Sequence, residues 1–357
     1  MSHLLEVKDL RTYYYHHTHI VRAVDGLDFH LDKGEILGIV GESGCGKSQT
    51  SMSIMNLIQT PPGKIETGEI FYDGTDLLKL QEEEMRKIRG NRISMIFQEP
   101  MTSLNPLFTL GNQISEVLML HRDMTEQDAR SESINLLEMV GMSDPDERVD
   151  EYPFQLSGGL RQRGMIAMAM ACEPSVLIAD EPTTALDVTI QAQILRLMGN
   201  LKEDRETSII FITHDLAVIA GFTDRVMVMY AGVAVESTAV KTIFKKPLHP
   251  YTQGLLTSIP VLGEGKTHAD GTRRKLNTIL GNLPDHSDFP KGCRFAPRCS
   301  KAMEKCFSVE PKLVEIENDH FVRCFLYHNE EIEGEDLATK IMNSSKYKRG
   351  FRLRNRG

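Results

Sequence analysis

The stretch "GEILGIVGESGCGKSQTSMSIMNLI", residues 34–58, decides the fold. Ile36 to Val40 make a short apolar run that breaks into glycine, as a buried strand of a parallel sheet does. Gly41-Glu42-Ser43-Gly44-Cys45-Gly46-Lys47-Ser48 follows at once and satisfies G-x-x-x-x-G-K-[ST], the phosphate-cradling pattern. The glycines let backbone N–H groups of the loop turn inward around an anion. Lys47 brings a point charge, Ser48 brings a hydroxyl for Mg²⁺, and the helix opening through Gln49 aims its positive end at the same place. A glycine-rich turn carrying an accidental Lys-Ser is the bland alternative. The apolar strand before the loop and the helical pattern after it argue against that. The expected fold class is α/β with a mostly parallel core sheet.

Three further apolar runs end in polar residues that suit the same site. "SVLIADEP" takes Val176 to Ala179 as a core strand and puts Asp180 and Glu181 at its tip, where open α/β sheets bind ligands. Asp180 suits Mg²⁺, and Glu181 suits polarisation of an attacking water. "SIIFITHD" runs from Ile209 to Ile212 and ends near His214, a candidate for hydrogen bonding to a γ-phosphate. "RISMIFQEP" ends at Gln98, a candidate for Mg²⁺ or for the lytic water. Each residue alone is more often an ordinary strand-end side chain. Four strand ends presenting Lys/Ser, Gln, Asp/Glu and His to one locus carry more weight than any one of them.

Bulk properties fit this frame. The 357 residues suit one large and one small domain, and 41% hydrophobic with 25% charged residues is ordinary for a globular chain. A net charge of −9 disfavours non-specific nucleic-acid binding. No apolar run is long enough to span a bilayer, and "MSHLLEVKDL" lacks a secretory pattern. The expected setting is the cytosol, where thiols stay reduced.

"QLSGGLRQRGMIAMAM" supplies a second anion site, because Leu156-Ser157-Gly158-Gly159 opens a helix with a hydroxyl and exposed N–H groups. One nucleotide does not need two such helix starts from one chain, so this one is expected to serve the nucleotide of a partner. With Gly41 to Ser48, Gln98, Leu156 to Leu160, Ser175 to Glu181, Ala185-Leu186-Asp187 and His214, the chain resembles the ATP-binding subunits of ABC transporters. Leu160 departs from the glutamine of the commonest signature but leaves the serine and glycines intact. By the resemblance, Tyr14, or its neighbour Tyr13 or Tyr15, falls where an aromatic ring underlies the adenine. "FQEPMTSLNPLFTLGNQISEV" and "KKPLHPYTQGLLTSIP" look like the oligopeptide and dipeptide importers, in which His249-Pro250-Tyr251-Thr252 opens a C-terminal extension.

That resemblance implies an ATP-hydrolysing subunit on the cytoplasmic face of the membrane. It implies a second, homologous ATPase subunit as heterodimer partner, two permeases, and an external substrate-binding protein, with no nucleic acid bound. Cargo specificity then lies with the permeases and the binding protein. A soluble ABC-type ATPase acting on nucleic acid or ribosomes is the alternative; no sustained heptads separate Ser48 from Leu156, and only one cassette is present, which disfavours it. A regulatory subunit that binds ATP without cleaving it would have lost Glu181 or His214, and both are present.

The expected organisation is a cassette over residues 1–258, an extension over 259–330 and a charged tail over 331–357. "LLEVKDL" and "LDFHLD" read as strands of an antiparallel sheet, with Leu27, Phe29 and Leu31 on one face, and Asp73-Gly74 reads as a hairpin turn. Residues of about 99–165, with apolar Ile114, Val117, Leu118, Leu136, Leu137 and Val140, read as a helical subdomain, which by the resemblance receives a coupling helix of the permease. Residues 261–275 read as a linker. "KYKRGFRLRNRG" reads as a solvated tail, or as a contact for anionic lipid heads.

Four of the six cysteines, Cys293, Cys299, Cys306 and Cys324, gather near the C-terminus as C-x5-C-x6-C-x17-C, leaving Cys45 and Cys172 outside the pattern. Four thiolates hold Zn²⁺ or an iron–sulfur cluster, or stay uncommitted as thiols or a labile disulfide. The tight C-x2–4-C knuckle usual for zinc is absent, whereas a [4Fe–4S] cube accepts ligands from wider loops. The importer resemblance extends to all four positions and implies a [4Fe–4S] cluster, with zinc as the runner-up. The expected result is a small cysteine-rich C-terminal domain whose folding the metal supports.

Overall fold

The computed structural model describes residues 3–183, 186–259, 278–317 and 319–328. Ala185, the linker 261–275 and the basic C-terminal stretch lie outside the described residues.

Strands β1 (Leu5–Tyr15), β2 (Ile20–Leu31), β4 (Gly63–Tyr72) and β5 (Thr75–Asp76) form an antiparallel sheet in the order β2-β1-β4-β5. Leu27, Phe29 and Leu31 alternate onto its buried face, as the period of two requires. At the β4–β5 hairpin Tyr72 faces Thr75, and Asp73 and Gly74 both take positive φ (46° and 78°), the backbone of a two-residue turn that follows strand twist.

The second sheet has eight strands among the described residues. Its parallel part is β6 (Ile93–Ile96), β7 (Val176–Asp180), β8 (Ser208–Thr213), β3 (Ile36–Val40) and β9 (Arg225–Tyr230). These strands are covered on both faces, which explains why the sequence gives continuous apolar runs there instead of alternation. Leu37, Ile39, Ile178, Ile210 and Ile212 pack with the antiparallel sheet and with the helix Lys47–Ile54. Ile36, Val40, Leu177, Ala179, Ile209 and Phe211 point the other way, into a core shared with the helical layer.

That layer contains helices Leu110–Arg122, Glu126–Met139 and Gly158–Met170. Thr109 and Thr125 cap the first two, each accepting a backbone N–H at 3.2 Å. Ile114, Leu118, Leu136, Leu137 and Val140 are buried, and Val117 is partly so.

The region after β9 is less local than its sequence suggests. Strand β10 (Val233–Ala239) pairs antiparallel with β9, then β12 (His320–Val322) pairs with β10, and β11 (Val314–Glu317) pairs with β12. The cysteine-bearing extension thus adds strands to the main sheet. Glu236, fully buried on β10, secures the join: its carboxylate accepts His320 Nε2–H at 2.7 Å and the N–H groups of Leu248 (2.7 Å) and His249 (2.9 Å). Breaking a buried pair by removing one partner typically costs about 3–5 kcal/mol, because the other is left uncompensated. His320→Ala is therefore expected to lower unfolding free energy by about that amount in urea titration. A loss under about 1 kcal/mol would show that this network does not hold the edge.

Candidate active site

The phosphate loop leaves β3 at Gly41 and enters the helix Lys47–Ile54. Gly46 has φ 106°, and a side chain there would lie 2.4 Å from the Ala23 carbonyl oxygen, so glycine is required both for conformation and for space. Lys47 is 5% exposed and donates from Nζ to the carbonyls of Gly41 (2.9 Å) and Glu42 (3.2 Å), so its charge sits over the loop.

Asp180 ends β7, is 3% exposed, and has a buried Oδ1 that meets no hydrogen-bond donor among the described residues. Burial pushes its carboxyl above the usual range, against the hydrogen bond from Ser48 and with further upward pressure from Glu181. An orphaned carboxylate oxygen, a serine hydroxyl and the amide of Gln98 are hard oxygen donors, and they fit Mg²⁺.

Glu181 follows with φ 48°, a left-handed backbone that a glutamate rarely adopts, fixed by its N–H donating to the Ile212 carbonyl at 2.9 Å. The kink brings its Oε2 to His214 Nδ1 (3.2 Å) and to Gln98 Nε2 (3.4 Å). Three strand ends that the sequence leaves separate thus meet at one carboxylate oxygen.

A cavity of about 670 Å³ unites Tyr14, Ser43, Gly44, Gly46, Lys47, Ser48, Gln49, Gln98 and Glu181. Of the three consecutive tyrosines only Tyr14 lines it, with its hydroxyl donating to Gln49. Tyr13 turns to Asp25 and Tyr15 to Glu66. Ser157, Gly158 and Gly159 are not among the residues lining this cavity. Ser157 caps its helix by accepting Leu160 N–H at 3.4 Å. A side chain at Gly158 or Gly159 would meet nothing within 4 Å, and neither has positive φ. Nothing among the described residues explains why those two positions are glycine. Asp187 caps the helix Val188–Arg205.

Cys293, Cys299, Cys306 and Cys324 line one small cavity, and all six cysteines are free thiols. Backbone N–H groups of Lys301 and Met303 donate to the sulfurs of Cys299 and Cys306, each at 3.4 Å. Burial raises the Cys324 thiol to about 11, helped by its three cysteine neighbours. No three of the four sulfurs lie within 4.8 Å of one another.

Sequence reasoning missed how the extension reaches the phosphate loop. Arg298 forms a two-pronged pair with the Glu42 carboxylate (2.7 and 3.0 Å), and Glu42 N–H donates to Tyr251 Oη at 3.0 Å. Pro284, Asp285 and His286 line the nucleotide-sized cavity itself. These residues lie more than 200 positions from Glu42, and no local pattern marks them.

The chain matches the family described as "ABC transporter" over residues 24–184 and the one described as "Oligopeptide/dipeptide transporter, C-terminal region" over residues 235–306. It is 54% identical to the oligopeptide transport ATP-binding protein AppD of Bacillus subtilis (strain 168), covering 93% of this chain and 99% of that one. It is 51% identical to OppD of the same organism, covering 92% and 90%. Among solved structures it is similar to a dimeric post-hydrolysis state of the ATP-binding cassette MJ0796 bound to ADP and Pi. That likeness has a TM-score of 0.61 at 28% identity and covers 66% of this chain and 98% of that one.

Proposed function

This chain belongs to the ATP-binding subunits of oligopeptide and dipeptide ABC transporters, and we propose from that premise that the cavity between Tyr14, Lys47 and Glu181 is where it binds and cleaves ATP. The chain is an ATPase that powers peptide import. The observation that carries the site is the gathering of Lys47, Ser48, Gln98 and Glu181 around one cavity, with Asp180 and His214 beside it.

Tyr14 stacks on the adenine, and the inward N–H groups of Ser43 to Ser48, with Lys47, hold the phosphates. Ser48, Asp180 and Gln98 hold Mg²⁺, which when bound neutralises charge on the β- and γ-phosphates. Glu181 takes a proton from water as the oxygen of that water bonds to Pγ, while the bond from Pγ to the bridging oxygen breaks and ADP leaves. His214 supports the carboxylate and the γ-phosphate.

Ser157 to Gly159 cap the ATP of a second, homologous subunit, and the partner's signature caps the ATP held here. Two glycines with open space before them support this, since a bound phosphate outside the chain accounts for them. The dimeric state of the similar cassette supports it too. Leu107, Phe108 and Phe154, exposed at 79%, 50% and 66% on the helical layer, suit a permease contact. The working assembly is then a pair of different ATPase subunits under two permeases, fed by an external binding protein, with this chain at the cytoplasmic face. No helix among the described residues is long and apolar enough to cross a membrane.

The four cysteines hold a [4Fe–4S] cluster. They lack the tight C-x2–4-C knuckle usual for zinc and line one small cavity. A four-iron cube holds its thiolates further apart, and N–H donors to the sulfurs are what such clusters use.

Glu181→Gln in the assembled complex is expected to keep ATP affinity and to lose about 10²- to 10⁴-fold in turnover, measured as phosphate release. Near-normal turnover would assign the base elsewhere. A strictly monomeric sample is expected to hydrolyse ATP poorly; full turnover from monomer would sink the shared-site scheme. Anaerobically purified protein is expected to be brown, with about four irons per chain. Colourless protein carrying one zinc would replace the cluster with the runner-up metal.

A further inference from the structure

We propose that the C-terminal extension completes the nucleotide site and that His286 reads the base, selecting the exocyclic amine of adenine over the carbonyl of guanine. This rests on the ATP site proposed above. The segment Pro284-Asp285-His286 lines the same cavity as Tyr14 and Lys47. It is fastened to β2 at Arg22: the Arg22 N–H donates to the His286 carbonyl at 3.0 Å, and His286 Nδ1–H donates to the Arg22 carbonyl at 3.2 Å. Arg22 and Val21 sit opposite Tyr13 and Tyr14 in the β1–β2 ladder. The segment therefore stands at the Tyr14 end of the cavity, where the base lies if the phosphates are at Lys47.

The Arg22 bond fixes the tautomer. A carbonyl only accepts, so Nδ1 carries the proton of the imidazole, and Nε2 is left as the acceptor. Adenine offers an N6 amine donor at the edge where guanine has the O6 acceptor. An acceptor on the protein thus attracts adenine and opposes guanine, lone pair against lone pair. Asp285 adds to the match at the sugar. Its Oδ1 accepts Ser287 N–H (2.8 Å) and Oγ–H (2.7 Å), which keep the carboxylate below its usual range. An ionised carboxylate accepts the ribose hydroxyls. The wall is preorganised, because Arg294 pairs with Asp25 on β2 at 2.7 Å, both side chains 7% exposed, and Arg298 clamps Glu42.

The test measures Kd for Mg–ATP and Mg–GTP on the full-length chain by competition with a fluorescent ATP analogue. Asn at position 286 retains an amide donor for the Arg22 carbonyl but has no group at the Nε2 position. His286→Asn is expected to weaken ATP about three- to tenfold, the value of one hydrogen bond, and to tighten GTP by relieving the lone-pair repulsion, so that the ATP preference disappears. His286→Gln, whose terminal amide accepts from adenine or donates to guanine, is expected to recover affinity for both nucleotides without the preference. Equal affinity of the wild-type chain for ATP and GTP overturns the proposal, as does an unchanged ratio in His286→Asn. Lys47→Ala separates the two levels. It should weaken both nucleotides alike, and undiminished binding in that variant would remove the ATP site itself.

Discussion

The register of the parallel ladder governs this molecule. Val40 pairs with Thr213, Asp180 with Ile212, and Ile96 with Ala179. Because parallel strands share a direction, those pairings bring four strand ends to one level. The residues just beyond them, Gly41, His214, Glu181 and Gln98, then stand side by side. A shift of one residue in any strand would exchange the side chains that pack into the two different cores on its faces, so the same packing that stabilises the sheet fixes the alignment of the site. Positional accuracy here is a by-product of hydrophobic burial on both faces of the sheet.

Electrostatic strain is concentrated where that alignment ends. Asp180 is a buried carboxylate with an unmet oxygen, and Glu181 beside it occupies a left-handed backbone conformation. Both features cost stability in the free chain. A cationic partner on that oxygen would offset the first cost. Lys47 is turned back onto the loop carbonyls of Gly41 and Glu42, which satisfy its buried charge.

The extension is built into this machinery at several points. Glu236 and His320 weld its strands to the main sheet, Tyr251 and Arg298 hold Glu42 of the phosphate loop, and Arg294 holds Asp25 of β2. Arg294 and Arg298 lie between Cys293 and Cys299, so the loop that carries two of the four thiols also holds Asp25 of β2 and Glu42 of the phosphate loop. Order at the four sulfurs and order at the phosphate loop therefore share one short piece of backbone.

The sequence alone determined β1 to β8 and the phosphate loop, and marked Asp180, Glu181, Gln98 and His214 as candidates, because each rests on a local pattern: an apolar run, a glycine spacing, a polar residue at the tip. It also revealed Ser157 as a helix cap and the four cysteines as a group, through spacing within a few dozen residues. It did not distinguish Tyr14 from its two neighbours, since alternation along β1 separates them only once β1 is paired and its faces assigned. Nor did it show β10 to β12 closing the sheet edge, or Arg298 and His286 reaching residues more than 200 positions away. Those contacts are made by single side chains and short backbone pairs between distant segments. They leave no periodicity in the chain, so only the tertiary structure, which sets which surfaces meet, could decide them.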